Sequence, residues 1–257
     1  MSRVSDTDSA RPVPALWGDP APAHFDLRAP WWLKSAFFVA ATIVALFFLD
    51  QPIALFARAH PIPDLTAVAS SGAARYRSAD AGRELMFLEQ WGQGACSVLA
   101  VIAVALLDRA GRRRALAIAI GCLLTLGVTH LLKDCFGRSR PFVFSADGAW
   151  LFGGPGKGFH GGARWTSFPS AHTTAAFALA SGLAWFYPRG RALFMTLALT
   201  TATLRVLHTA HYLSDALAGL AIGVFVMRLT LGARIAGRLI AAAPPNVRAW
   251  WLVDGGN

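Results

Sequence analysis

Charge is in short supply in this chain. Charged side chains make up 15% of its 257 residues, where an ordinary soluble domain carries about a quarter. The shortfall argues against a soluble globular protein, and an apolar content of 55% with a mean hydropathy of +0.46 fills the gap. Cysteine is nearly missing as well. Cys96, Cys122 and Cys135 are odd in number and carry neither zinc-ligand spacing nor a disulfide framework. Cys96 and Cys122 fall in apolar runs, and all three read as buried apolar thiols. Acidic residues are few, 14 against 24 Lys and Arg, which leaves a net charge of +10. The basic residues form no single stripe or patch, so nucleic acid is excluded as a partner. They suit the positive loops of a membrane protein instead. The signal-peptide order of basic, apolar and small-residue regions is also lacking. The first 30 residues are polar and hold Pro12, Pro14, Pro20, Pro22 and Pro30. They read as a flexible cytoplasmic tail, and the first apolar helix reads as an uncleaved insertion signal.

What the chain does have is long apolar runs. A helix needs about 20 mostly apolar residues to span about 30 Å of hydrocarbon. Six candidate spans meet or approach this: Trp31–Leu49, Trp91–Leu107, Ala115–Leu132, Thr173–Tyr187, Ala192–Leu207 and Ala216–Leu231. Their apolar residues run nearly all round, as in a lipid-embedded bundle. Trp31, Trp32 and Trp91 stand at span ends, where indole rings favour the interface. The predicted fold class is therefore all-α, an integral membrane bundle of six helices over residues 31–232. A cytoplasmic tail is expected over 233–257.

The loops predict an orientation. Arg109, Arg112, Arg113 and Arg114 lie between spans two and three, Arg189 and Arg191 between four and five, and Arg234, Arg238 and Arg248 after six. With six crossings these share a side with the N-terminal tail, and the positive-inside rule makes that side cytoplasmic. The outer loop between spans one and two also carries Arg58, Arg75, Arg77 and Arg83. It holds Asp64, Asp80, Glu84 and Glu89 too, and reads as a partly helical segment lying on the surface.

Three polar patches stand at span ends, all on the extracytoplasmic side of this scheme. The first is Lys133-x6-Arg140-Pro141. A lysine at a span end ordinarily snorkels to the interface. With Arg138 and Arg140 close behind, the cations call for an anion, and a guanidinium fork matches phosphate oxygens. The second is Pro169-Ser170-Ala171-His172. Ser170 is placed to N-cap span four, and the free N–H groups of a helix N-terminus favour an anion. His172, in the first turn, becomes a candidate acid. The third is Arg205-x5-His211-x3-Asp215. Spacing of four can put His211 and Asp215 on one helical face. A carboxylate that holds one imidazole nitrogen frees the other for attack. Asp215 is the only acidic residue between Asp147 and Asp254, and a solitary carboxylate at a span is expensive unless paired. Capping of span six is the alternative role.

His208 and His211 hint at a metal, but a third ligand is missing and carboxylates are scarce, so no metal and no cofactor is expected. His130 reads as packing, while His24, His60 and His160 stay unassigned. The loop from Phe142 to Trp165 is rich in glycine and aromatic residues. No strand precedes it, which excludes a P-loop. A lid and a plain linker both remain open.

Together the patches resemble the signature of the type 2 phosphatidic acid phosphatase superfamily: Lys-x6-Arg-Pro, Pro-Ser-Gly-His and Ser-Arg-x5-His-x3-Asp. The spacing matches within each block, and the resemblance covers roughly residues 115–231. Ala171 stands in place of the family glycine and Leu204 in place of the serine before Arg205. Altered substrate preference or rate is expected from these two departures. The resemblance implies a membrane lipid phosphatase with its active site at extracytoplasmic helix ends. His211 would be the nucleophile, Asp215 its orienter, and His172 the acid and then the base. Lys133, Arg140, Ser170, the Ala171 N–H and Arg205 would hold the phosphoryl oxygens. The implied substrate is a phosphorylated lipid in the bilayer, whether phosphatidic acid, phosphatidylglycerol phosphate, undecaprenyl diphosphate or lipid A. A bacterial inner membrane is the expected location, with the site facing the periplasm. A lipid phosphotransferase of the same family is the runner-up, and a transporter or proton-relay protein is the rival from another class. The sequence carries no signal of oligomeric state.

Overall fold

A computed structural model describes residues 31–60, 84–108, 111–143, 152–156 and 162–246. The N-terminal tail over 1–30, most of the first outer loop and the last residues of the chain lie outside the described residues. So do Arg75, Arg77, His24 and His160.

All regular structure among the described residues is helical, with a single isolated bridge between Arg138 and Phe152. The helices are α1 (Trp31–Val44), α2 (Asp50–Ala59), α3 (Gly94–Leu107), α4 (Gly111–Phe136), α5 (Ala171–Phe186), α6 (Arg191–Leu207), α7 (Leu213–Gly232) and α8 (Ile235–Ala242). Each of the six predicted runs is helical; α4 extends four residues beyond its predicted run at each end, the last three runs agree within three residues, and the first two differ in shape. A π-helical turn, Ala45–Leu49, joins α1 directly to α2, so the helix does not stop at Leu49. Pro52 has no N–H for the carbonyl four residues earlier, and a π turn is one way a helix absorbs that loss. The second run begins with a sharp break. Glu84–Gly92 meets Gly94–Leu107 at 71°.

Among the described residues three helical stretches, Ala36–Ala59, Gly111–Phe136 and Leu213–Gly232, are long and apolar enough to cross a membrane, and the bent pair makes a fourth if it counts as one span. α5 and α6 are shorter, at 16 and 17 residues. Large apolar side chains such as Leu106, Leu107, Leu123, Leu131 and Phe48 face outward. On a helical bundle such a surface is suited to lipid. α5 is the opposite case. Eleven of its residues, from Thr173 to Ala184, are buried against α4, α6 and α7.

Small residues set the closest approach in the bundle. Gly219 and Gly223 are one helical turn apart on α7. A Cβ at Gly223 would lie 2.5 Å from the Thr174 carbonyl oxygen and 2.9 Å from the Ala178 nitrogen. One at Gly219 would lie 2.8 Å from the Ser170 carbonyl oxygen. This is backbone-to-backbone packing of the kind a Gly-x3-Gly face permits. It brings the start of α5 against the start of α7, where Ser170 N donates to Asp215 O at 3.1 Å. Gly223→Val should therefore cost roughly 1–3 kcal/mol or more through overpacking. A thermal melt in detergent will read this as a lower Tm, and an unchanged Tm would mean that the helices can part there at no cost.

The helix ends gather into two groups. Asp108 after α3, Arg114 in α4 and Tyr187 after α5 meet at one end: Arg114 donates to Asp108 Oδ2 at 2.6 Å, and Tyr187 Oη donates to the same oxygen at 2.5 Å. The last turn of α4, the first turns of α5 and α7 and the last turn of α6 meet at the other. The basic loops and the three polar patches thus lie at opposite ends of the bundle.

Candidate active site

The end of α4 is shaped by glycine. Gly137, at φ +52°, closes the helix in a left-handed cap, its N–H bonded to the Lys133 carbonyl at 2.9 Å. The described part of the glycine-rich loop folds back onto this end. Gly153, Gly154 and Gly156 donate to the carbonyls of Gly137, Phe136 and Asp134 at 2.8, 3.2 and 3.0 Å. Phe152 packs edge-on against Phe136 and Phe168. This portion is docked, which removes the plain-linker alternative for residues 152–156.

Lys133, Arg140 and Arg205 converge as expected. Lys133 Nζ donates to the Thr166 carbonyl, and Arg140 donates to Thr166 Oγ1 at 3.2 Å and to the Ala210 carbonyl at 3.4 Å. These partners of Lys133 and Arg140 are carbonyl and hydroxyl oxygens, not carboxylates. Burial, followed by the nearby positive charge of Arg205, pushes the Arg140 pKa down. The Nε atoms of Arg140 and Arg205 are buried without a hydrogen-bond partner. Crowded cations with unspent N–H groups favour an anion among them.

Ser170 caps α5, as predicted. Its Oγ accepts from Thr173 N at 3.4 Å and from Thr173 Oγ1 at 3.0 Å. Ala171 opens the helix, and His172 lies in its first turn within electrostatic range of Arg205, Arg140 and Lys133.

His211 and Asp215 are brought together, but not by a shared helical face. α7 begins at Leu213, so His211 belongs to the preceding turn and Asp215 to the first turn of the helix. His211 Nδ1 lies 2.8 Å from the Ser167 carbonyl oxygen and 3.6 Å from Asp215 Oδ2. A carbonyl only accepts, so Nδ1 carries the proton and Nε2 keeps its lone pair. Asp215 acts on the ring as a close charge and also fixes the ring's other support, because Ser167 Oγ donates to Asp215 Oδ2 at 2.5 Å. Asp215 further accepts from Tyr212 N at 2.9 Å, a reach-back that caps α7. Pairing and capping, the two roles set against each other from the sequence, coexist.

Burial is the largest influence on His211 and outweighs Asp215. With Arg140 and Lys133 adding to the effect, the imidazole is pushed down from its ordinary 6.5 to about 3. Above about pH 6.5 the ring is neutral whether the chain is folded or not. As pH falls toward 3 the unfolded chain takes up a proton that the folded one refuses, so stability is lost on that descent. Thermal stability in detergent should fall from about pH 7 to about pH 4, and His211→Asn should flatten the slope. An equal slope in the variant would assign the effect to other groups.

Three acidic or basic side chains take roles that the sequence did not suggest. Arg138 was grouped with the phosphate-seeking cations, but its guanidinium is fully buried and both of its Nη groups are engaged, although its Nε, like those of Arg140 and Arg205, is unpartnered. It donates to Asp215 Oδ1 at 2.6 Å, Ser214 Oγ at 2.7 Å and Asp50 Oδ2 at 2.7 Å, and it lies 4.1 Å over the Tyr212 ring. Asp50, at the start of α2, is 2% exposed. Glu89, before the break at α3, pairs with Arg205 Nη1 and accepts from His208 Nδ1 at 2.8 Å. The signal was present for Asp50. A carboxylate at the edge of an apolar run is costly unless paired, the argument already applied to Asp215. Among the described residues no group of three His, Cys, Asp or Glu side chains is set to hold a metal ion.

Residues 114–236 match the model of the PAP2 superfamily. The chain is similar to the lipid A 1-phosphatase of Rhizobium etli, with 39% identity over 103 residues, 40% of this chain and 43% of that protein. It is similar also to the lipid A 1-phosphatase of Rhizobium johnstonii, with 38% identity over 103 residues, 40% of this chain and 41% of that protein. The match spans about two-fifths of the length of these curated relatives. The crystal structure of Aquifex aeolicus LpxE superposes with a TM-score of 0.42 at 21% identity, covering 58% of this chain and 83% of that one.

Proposed function

We propose that this chain, whose residues 114–236 match the model of the PAP2 superfamily, is a membrane lipid phosphatase of that superfamily working through a phosphohistidine. The observation that carries this reading is the cluster of buried Lys133 and half-buried Arg140 and Arg205, with unspent arginine N–H groups, beside a neutral His211 whose Nδ1 is held by Ser167. Fixed cations and the α5 N-terminus stabilise charge on the transferring phosphoryl group. His211 Nε2 attacks phosphorus, the bond to the lipid oxygen breaks, and His172 gives that oxygen its proton. Water then attacks the phosphohistidine, His172 takes the water's proton, and inorganic phosphate leaves as the P–N bond breaks. Two displacements replace one harder one.

The chain crosses the membrane six times, by α1 with α2 and by α3 to α7. The site lies on the extracytoplasmic side of a bacterial inner membrane, since the basic loops occupy the opposite end of the bundle. The names of the two Rhizobium relatives put the 1-phosphate of lipid A first among substrates.

The test is phosphate release by detergent-purified protein from lipid A, phosphatidic acid, phosphatidylglycerol phosphate and undecaprenyl diphosphate, with vanadate and EDTA arms. Release that vanadate blocks and EDTA leaves intact is expected, with lipid A favoured. No free phosphate but a newly phosphorylated second lipid would make the protein a phosphotransferase. Loss in EDTA restored by a divalent metal would overturn the metal-free route.

A further inference from the structure

Two carboxylates share one guanidinium beneath the reacting histidine. Arg138 Nη2 reaches Asp50 and Nη1 reaches Asp215, all three side chains being at most 2% exposed. Ser214 closes the loop. Its N–H donates to Asp50 Oδ1 at 2.9 Å, its Oγ donates to Asp50 Oδ2, and the same Oγ accepts from Arg138. Asp50 therefore does two things from a helix outside the residues that match the family model. It satisfies a free N–H in the first turn of α7, and it takes up the half of the Arg138 charge that Asp215 does not.

We infer that Asp50 is a positioning residue for phosphoryl transfer, acting through Arg138 and Ser214 on Asp215 and so on His211. The physical reason is charge balance in a dry site. With Asp50 ionised, one cation faces two anions, and Asp215 keeps a net negative field toward His211. That field stabilises the positive charge that the imidazole gains when Nε2 bonds to phosphorus. Without the Asp50 charge, Arg138 is matched by Asp215 alone. The pair is neutral, the field at His211 is lost, and the guanidinium is free to draw Asp215 away from Ser167. Buried networks of this kind carry more than the sum of their pairs. Asp50 bonds to Arg138 and Ser214 and not to Lys133, Arg140 or Arg205, so holding the phosphoryl group should not depend on it.

The inference rests on the phosphohistidine reading above, and the experiment separates the two. Wild type, Asp50→Asn and Asp50→Glu are purified in detergent. Vanadate binding is titrated on each, and phosphate release is measured per vanadate-binding site. Asparagine keeps the size of the side chain and its bond to Ser214 N but removes the charge, while glutamate keeps the charge. The expected result for Asp50→Asn is a fall in kcat of about 10- to 100-fold, the usual cost of losing an outer partner of a reacting group. KM and vanadate affinity should stay near wild type, and Asp50→Glu should recover part of the loss. A merely structural role would reduce the number of binding sites without changing turnover at each. Turnover per site within about twofold of wild type in Asp50→Asn would overturn the inference. So would both variants lacking vanadate sites altogether, which would make Asp50 a folding residue. Wild type that neither binds vanadate nor releases phosphate would instead overturn the functional reading.

Discussion

Replacing His211 by alanine is expected to lower phosphate release by at least about 10⁴-fold in kcat while leaving the protein folded and able to bind vanadate. The size of the effect follows from what the ring does. In the proposed reaction Nε2 is the atom that bonds to phosphorus, and the Nδ1–H bond to the Ser167 carbonyl keeps its lone pair available. No other neutral nucleophile is described at this end of the bundle with such support. Alanine leaves the cations in place, so binding survives while the covalent step does not. Single-turnover quench with a radiolabelled lipid would show no acid-labile phosphoprotein. A variant that keeps a tenth of wild-type turnover would remove His211 from the reaction, and the bond-making role would have to pass to another group.

Arg138→Ala should behave quite differently. A cation that only gripped phosphate would, when removed, raise KM in a stable protein. Arg138 instead lies between Asp50 and Asp215 with no exposure. Its loss leaves two carboxylates buried without a counter-charge, a change that costs roughly 3–5 kcal/mol. That is a large share of the 5–15 kcal/mol by which a folded domain is stable. The expected result is a sharp fall in Tm, or protein that does not leave the membrane in folded form. A well-folded Arg138→Ala protein with raised KM alone would restore Arg138 to the phosphate-binding group and undo the charge network described here.

How well the sequence foretold each part depended on the distance of the partners. The helices were visible because apolar runs are local, and all six appear. The N-cap at Ser170 was visible because a cap is decided within four residues. Lys133, Arg140, His172, Arg205 and His211 were found through spacing, and the structure does gather them at one end. The role of Arg138 was not visible, because its partners are 77 and 88 positions away and nothing in its own surroundings names them. The first predicted span stops at Leu49, just before Asp50, although a buried, paired aspartate lets the helix continue through it. Glu89 was counted with the acids of a surface loop, whereas the 71° break before α3 turns that segment inward toward Arg205. The His211–Asp215 spacing brought the correct pair together for a partly incorrect reason, since a turn and a helix start do the work assigned to a helical face.

The origin of Asp50 and Glu89 bears on how portable this chemistry is. Every signature residue falls within 114–236, so a segment cut at those limits and grafted onto foreign helices would look complete on paper. It would still arrive two negative charges short, with Arg138 and Arg205 each missing a carboxylate that the chain before residue 114 supplies. The halves should instead behave as complementary fragments, the front one inert alone yet able to restore turnover when co-expressed with the rear.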